Sequence, residues 1–106
     1  MLDIYAVSLQ VCRDCVPVIR KIAGVDRNLA DQLRRAVASV PLNVAEGDGQ
    51  VGGNRRQRLL TALGSARETN AVLDVALAMN YLDEVPNGVR DRLDHVIGVL
   101  VKVARP

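Results

Sequence analysis

Apolar residues along this chain recur at steps of three and four, and nowhere alternate long enough to mark a strand. Four such segments appear, divided by Gly, Pro and Asp. The first is expected from about Asp3 to Ile22, with Tyr5, Leu9, Cys12, Val16, Ile19 and Ala23 as its seam. Pro17 lies inside it and should kink it, because proline removes a backbone donor and crowds the preceding turn. The second is expected from about Arg27 to Glu46, along Leu29, Leu33, Ala36, Val37, Val40 and Val44. Asp26 is placed to cap its start, and Gly47 to be the left-handed residue after its end. "GDGQVGGN" then reads as a flexible connector.

The third segment is expected from about Asn54 to Met79, with Leu59, Leu63, Ala66, Asn70, Leu73 and Leu77 as its seam. The fourth is expected from Pro86 or Gly88 to Val103, with Pro86 suited to a first helical turn. Connections of these lengths predict an all-α fold, an antiparallel up-down four-helix bundle, as one domain over residues 1–106. In the fourth helix Leu93, Val96, Ile97, Leu100 and Ala104 form the core stripe, and Val99 and Val103 widen it. A helix apolar over most of its circumference is usually covered on more than one side, which in so small a chain points to a subunit interface. The alternative is a Val-rich helix with a few exposed methyl groups.

Composition narrows the function classes. Apolar residues make up 49% of the chain, too many for a disordered segment, while aromatic residues make up 2%. Tyr5 and Tyr81 are the only aromatics, which argues against stacking platforms for single-stranded nucleic acid, and the core must be aliphatic. Net charge is +2, too small by itself to diagnose a nucleic-acid partner. No apolar run is long enough to cross a bilayer, and the first ten residues lack the basic start of a secretory signal. A cytoplasmic location without membrane attachment is the expectation.

Candidate chemistry is sparse. Cys12 and Cys15 form a C-x-x-C inside a helical pattern with no strand before it, unlike a redox motif. With His95 they could complete a metal site only between subunits, so no metal and no cofactor are expected. His95 should pair with Asp91 one turn before it. No spacing sets Glu46 and Glu68 as a catalytic carboxylate pair, and "GDGQVGG" lacks the Gly-Lys-Ser/Thr ending of a phosphate loop. The chain therefore reads as a non-enzyme.

The basic residues are more informative. From Arg27 to Arg67 there are seven Arg and three acids; from Glu68 onward there are four basic residues and six acids. Arg34, Arg35, Arg55, Arg56, Arg58 and Arg67 are thus candidate contacts to a phosphate backbone in RNA or DNA. The alternative is a solvated, partly salt-bridged face.

The stretch "RRAVASVPLNVAEGDGQ" holds the sharpest local conflict. Pro41 cannot donate to the carbonyl of Val37, and that carbonyl needs another donor: Ser39, Asn43 or a side chain from another helix. Gln32, Ser39, Asn43 and Glu46 fall in one stripe beside the apolar seam. Glu46 opposes the helix dipole, so it should have a cationic or hydrogen-bonding partner. Asn70 is a candidate counterpart across the helices. A polar network here would fix how the second helix meets the third or a neighbouring subunit.

These residues also carry a resemblance. Gln32, Arg34, Arg35, Ala36, Ser39, Val40, Pro41, Asn43, Val44, Ala45, Glu46 and Gly47 resemble the signature of the small proteins encoded in intervening sequences of bacterial 23S ribosomal RNA genes. Gly64, Ser65 and Glu68 match that family's Gly-Ser-x-x-Glu. Tyr81 and Leu82 match its Gly-Tyr-Leu-like end of helix three, with Asn80 in place of Gly. The resemblance implies a four-helix bundle that assembles as a ring, commonly a homopentamer, without catalytic activity. It gives Gln32, Ser39, Pro41, Asn43, Glu46, Gly47, Ser65 and Glu68 structural or oligomer roles. It also implies kinship with accessory proteins of diversity-generating retroelements, which bind nucleic acid and a reverse transcriptase. A protein-interaction scaffold that contacts no nucleic acid directly, such as a reverse-transcriptase accessory subunit, is the competing expectation.

Overall fold

The computed structural model describes residues 3–105. Four helices follow one another: α1 (Ile4–Ala23), α2 (Arg27–Asp48), α3 (Gly52–Ala78) and α4 (Val89–Val103). Each packs against its neighbours in sequence, and α4 closes back onto α1. Side-chain ties give the directions. Ser39 meets Ser65 and, further along α2, Glu46 meets Arg58 earlier on α3, so α2 and α3 run antiparallel. The expected all-α four-helix fold is the observed one.

Local chemistry sets the helix ends. The Asp26 carboxylate accepts from the Leu29 N–H at 2.9 Å, the expected N-cap of α2. At the end of α3, Tyr81 N–H bonds to the Ala76 carbonyl and Asn80 N–H to that of Leu77, a Schellman motif. Asn80 has φ +60°, so it takes the left-handed conformation that a glycine would otherwise supply.

Several expectations are corrected. Gly47 does not end α2 but lies buried inside its last turn; Gly49 is the C-cap. The expected flexible loop shrinks to residues 49–51, because α2 continues through Gly47, packed against Leu59, and α3 already begins at Gly52. Pro86 precedes α4 rather than opening it, and Gly88 with φ +86° is the N-cap. A Cβ at Gly88 would lie 2.6 Å from Arg92 Nη1, and that guanidinium reaches across to Asp14 on α1 at 2.8 Å. His95 pairs with Asp3 at 3.2 Å, not Asp91, since α1 brings a carboxylate to the face of α4.

The core is aliphatic, with Ile4, Leu33, Leu59, Leu73, Leu93 and Leu100 among its fully buried members. The seam of α1 is turned by one position from the expected one. Ile4, Ser8, Val11, Cys15, Val18 and Ile22 are buried, while Val16 is 43% exposed. Two apolar lines run side by side on α1, and the small hydroxyl of Ser8 fits inside by donating to the Tyr5 carbonyl. On α3, Thr69 rather than Asn70 faces the core, its hydroxyl bound to the Ser65 carbonyl. On α4, Ile97, Val99, Val101 and Val103 are half-buried against the core.

Candidate nucleic-acid interface and helix junction

Pro41 sits buried within α2 and leaves the Val37 carbonyl without its intrahelical donor. The replacement comes from α1: the Cys12 thiol donates to the Val37 carbonyl at 3.4 Å. Ser39 and Asn43 serve elsewhere. Asn43 Nδ2 donates to the Ser39 carbonyl at 2.9 Å and to Ser39 Oγ at 3.0 Å, and Ser65 on α3 donates to Ser39 Oγ at 2.8 Å. The expected network thus links α2 to α3. Asn70 is outside it, because its carboxamide and backbone carbonyls both accept from Arg90 of α4, at 2.7 and 3.2 Å. Gln32 is exposed and bonds to no described residue.

Glu46 has the cationic partner its position demanded, Arg58 Nη1 at 3.1 Å. The two helices approach closely beside it. A Cβ at Gly47 would lie 3.1 Å from Leu59 Cδ2 and 3.3 Å from Arg58 Cβ. Pro41, Asn43, Glu46, Gly47 and Ser65 therefore form one α1–α2–α3 junction.

Burial raises the pKa of both thiols. The Cys12 thiol lies above the usual value, and that of Cys15 is pushed up to about 12 by burial, with the neighbouring Cys12 and Asp14 adding to it. Protonated thiols are poor nucleophiles and poor metal ligands. Among the described residues no group of three His, Cys, Asp or Glu side chains is gathered to hold a metal.

The arginines divide along the bundle. Arg55, Arg56 and Arg58 stand on the first turns of α3. Arg67 lies midway. Arg34 and Arg35 are on α2, roughly 20 Å along the axis from Arg55 at 1.5 Å of rise per residue. Arg34 bonds to Asp31 at 3.2 Å and Arg58 to Glu46, while Arg35, Arg55, Arg56 and Arg67 pair with no described carboxylate. The contacts of Arg90 with Asn70 and Asp74 place the end of α4 about five to nine residues short of the start of α3. The hairpin tip with Arg55 and Arg56 therefore projects beyond α4. Gln50, Asn54, Gln57, Arg58 and Thr61 line an open polar cleft of about 530 Å³ on it.

Arg90 and Arg92, which sequence patterns did not single out, tie α4 to α3 and α1 through Asp74 and Asp14. Their place in the first turn of a helix, where acids are favoured, was the available signal. Among the described residues no helix is long and apolar enough to cross a membrane.

A family model described as "23S rRNA-intervening sequence protein" matches residues 1–102. The crystal structure of a protein of the S23 ribosomal protein family from Bacteroides thetaiotaomicron, described as having unknown function, superposes with a TM-score of 0.85. It is 17% identical and the match covers 97% of this chain and 99% of that one, which establishes a shared fold. No curated protein matches the chain.

Proposed function

Because the chain belongs to the 23S rRNA-intervening sequence protein family, we propose that it acts as a non-enzymatic, self-associating bundle that binds RNA or DNA through its arginines. The observation that carries this reading is the projecting hairpin tip, where Arg55 and Arg56 have no described carboxylate partner. Guanidinium groups held on rigid helical turns suit bidentate contacts to phosphate. Arg34, Arg35 and Arg67 extend the contact along α2 and α3. The Pro41 junction serves architecture, holding the hairpin that displays the arginines.

Filter binding to structured RNA and duplex DNA at rising salt tests the proposal. Affinity should fall steeply with salt, and replacing Arg55, Arg56 and Arg58 together should lower the slope by about two to three. No detectable binding at low salt overturns it.

A second reading, a scaffold for a protein partner such as a reverse transcriptase, is favoured by a different observation. An apolar groove of about 290 Å³ lies open between α1 and α2. Under that reading, binding to the partner survives both nuclease and the triple arginine variant.

A further inference from the structure

The open cleft on the hairpin tip is built from one face of α3 and the connection before it. Asn54, Gln57, Arg58 and Thr61 follow one another at steps of three and four, and Gln50 joins them from the chain between α2 and α3. Its lining holds three carboxamides, one hydroxyl and one guanidinium, with no carboxylate and no hydrocarbon side chain.

These groups differ in how far they are already used. The Thr61 hydroxyl donates to the Gln57 carbonyl at 3.0 Å, and the Arg58 guanidinium is held by Glu46 at 3.1 Å. The carboxamides of Gln50, Asn54 and Gln57 bond to no described residue, and all three residues are exposed. A carboxamide sets an N–H donor beside a carbonyl acceptor. A nucleobase edge carries neighbouring donors and acceptors that such a group matches.

Shape decides which nucleic acid can use them. A convex helix enters a groove, whereas a concave cleft receives a group that protrudes. A paired A-form duplex hides its major-groove base edges from side chains, while a nucleotide in a loop or bulge swings its edge outward. The cleft has no aromatic ring for stacking and no apolar floor, so a free nucleotide would gain little there. A nucleotide within a strand is different, because phosphates held nearby deliver its base at high effective concentration. Arg55 and Arg56 lie within one turn of Asn54 and Gln57 on α3, and neither pairs with a described carboxylate.

We infer that the cleft receives the base of an unpaired nucleotide, with Asn54 and Gln57 bonding to its edge while Arg55 and Arg56 hold phosphates of the same strand. This rests on the arginine-mediated binding proposed above and narrows its substrate class to strands that carry a looped-out nucleotide.

Fluorescence anisotropy at fixed low salt tests it with three RNA duplexes of one length. One is fully paired, one has a single bulged adenosine, and one has an abasic bulge at the same place. The bulged adenosine should bind the wild-type protein about tenfold more tightly than either of the others. In the double variant Asn54→Ala/Gln57→Ala, checked for helicity by circular dichroism, that preference should vanish. Arg55→Ala/Arg56→Ala should instead weaken the binding of all three RNAs alike. Equal affinity for paired and bulged RNA overturns the inference and leaves the arginine contact standing. So does a preference that the abasic bulge reproduces, or one that survives the double carboxamide substitution. Absence of binding to all three RNAs overturns the arginine contact itself, and the inference with it.

Discussion

The Cys12 thiol stands 3.4 Å from the Val37 carbonyl, the one carbonyl that Pro41 deprives of its helical donor. A thiol is a weak donor, but a half-buried carbonyl left with none is costly. The chain has thus matched a defect in α2 with a group on α1. Cys12→Ala should lower stability by about 1 to 2 kcal/mol in urea denaturation. In a Pro41→Ala background, where residue 41 regains its N–H, the same change should cost clearly less. Equal costs in both backgrounds would separate the two residues.

Gly64→Ala and Gly47→Val should shift stability in opposite directions. Nothing lies within 4 Å of a Cβ at Gly64, so Gly64→Ala should stabilise α3 by about 0.5 to 1 kcal/mol through backbone entropy. At Gly47 the added carbon meets Leu59 and Arg58 Cβ, and the latter moves only with the α3 backbone. Gly47→Val should therefore destabilise by about 1 to 3 kcal/mol. Thermal melts of the two variants give the comparison.

Ser65, Ser39 and Asn43 share one chain of hydrogen bonds between α2 and α3. Asn43→Ala and Ser65→Ala should each cost about 1 kcal/mol, and the double variant less than their sum. A double-mutant cycle in denaturant reads the coupling. Strict additivity would mean that the hydroxyl of Ser39 does not join them.

Stability should fall on the alkaline side, and Cys15 gives the sign. Its folded pKa of about 12 lies above the ordinary value of 9.0. Below pH 9 both states keep the proton, and the contribution is complete. Between pH 9 and 12 the unfolded chain loses it while the folded chain does not, so stability declines as pH rises. The limiting slope for one such group is about 1.4 kcal/mol per pH unit. Urea midpoints at pH 8 and pH 10.5 should show the decline, with a shallower one in Cys15→Ala.

The helices were legible because heptad-like spacing of Leu, Val and Ala leaves little else for such a chain to form. Asp26 was legible as a cap, since only a short polar side chain before an apolar run satisfies the first N–H groups. The orientation of α1 was not. Its two apolar lines differ by one position, about 100° of rotation, and only its neighbours choose between them. The need created by Pro41 could be read from the proline alone, whereas its answer lay 25 positions from Val37 on another helix. Glu46 announced a partner by opposing the helix dipole, yet nothing local identified Arg58. Gly47 was misplaced because a glycine kept for close approach looks like one kept for a turn.

The three-residue connection between α2 and α3 has a kinetic consequence. Closing so short a loop costs little chain entropy, and the two longest helices meet directly across it. This hairpin should be the nucleus on which the chain condenses, with α1 and then the 15-residue α4 docking afterwards. Substitutions at Leu59 should slow refolding, while those at Leu100 should chiefly hasten unfolding.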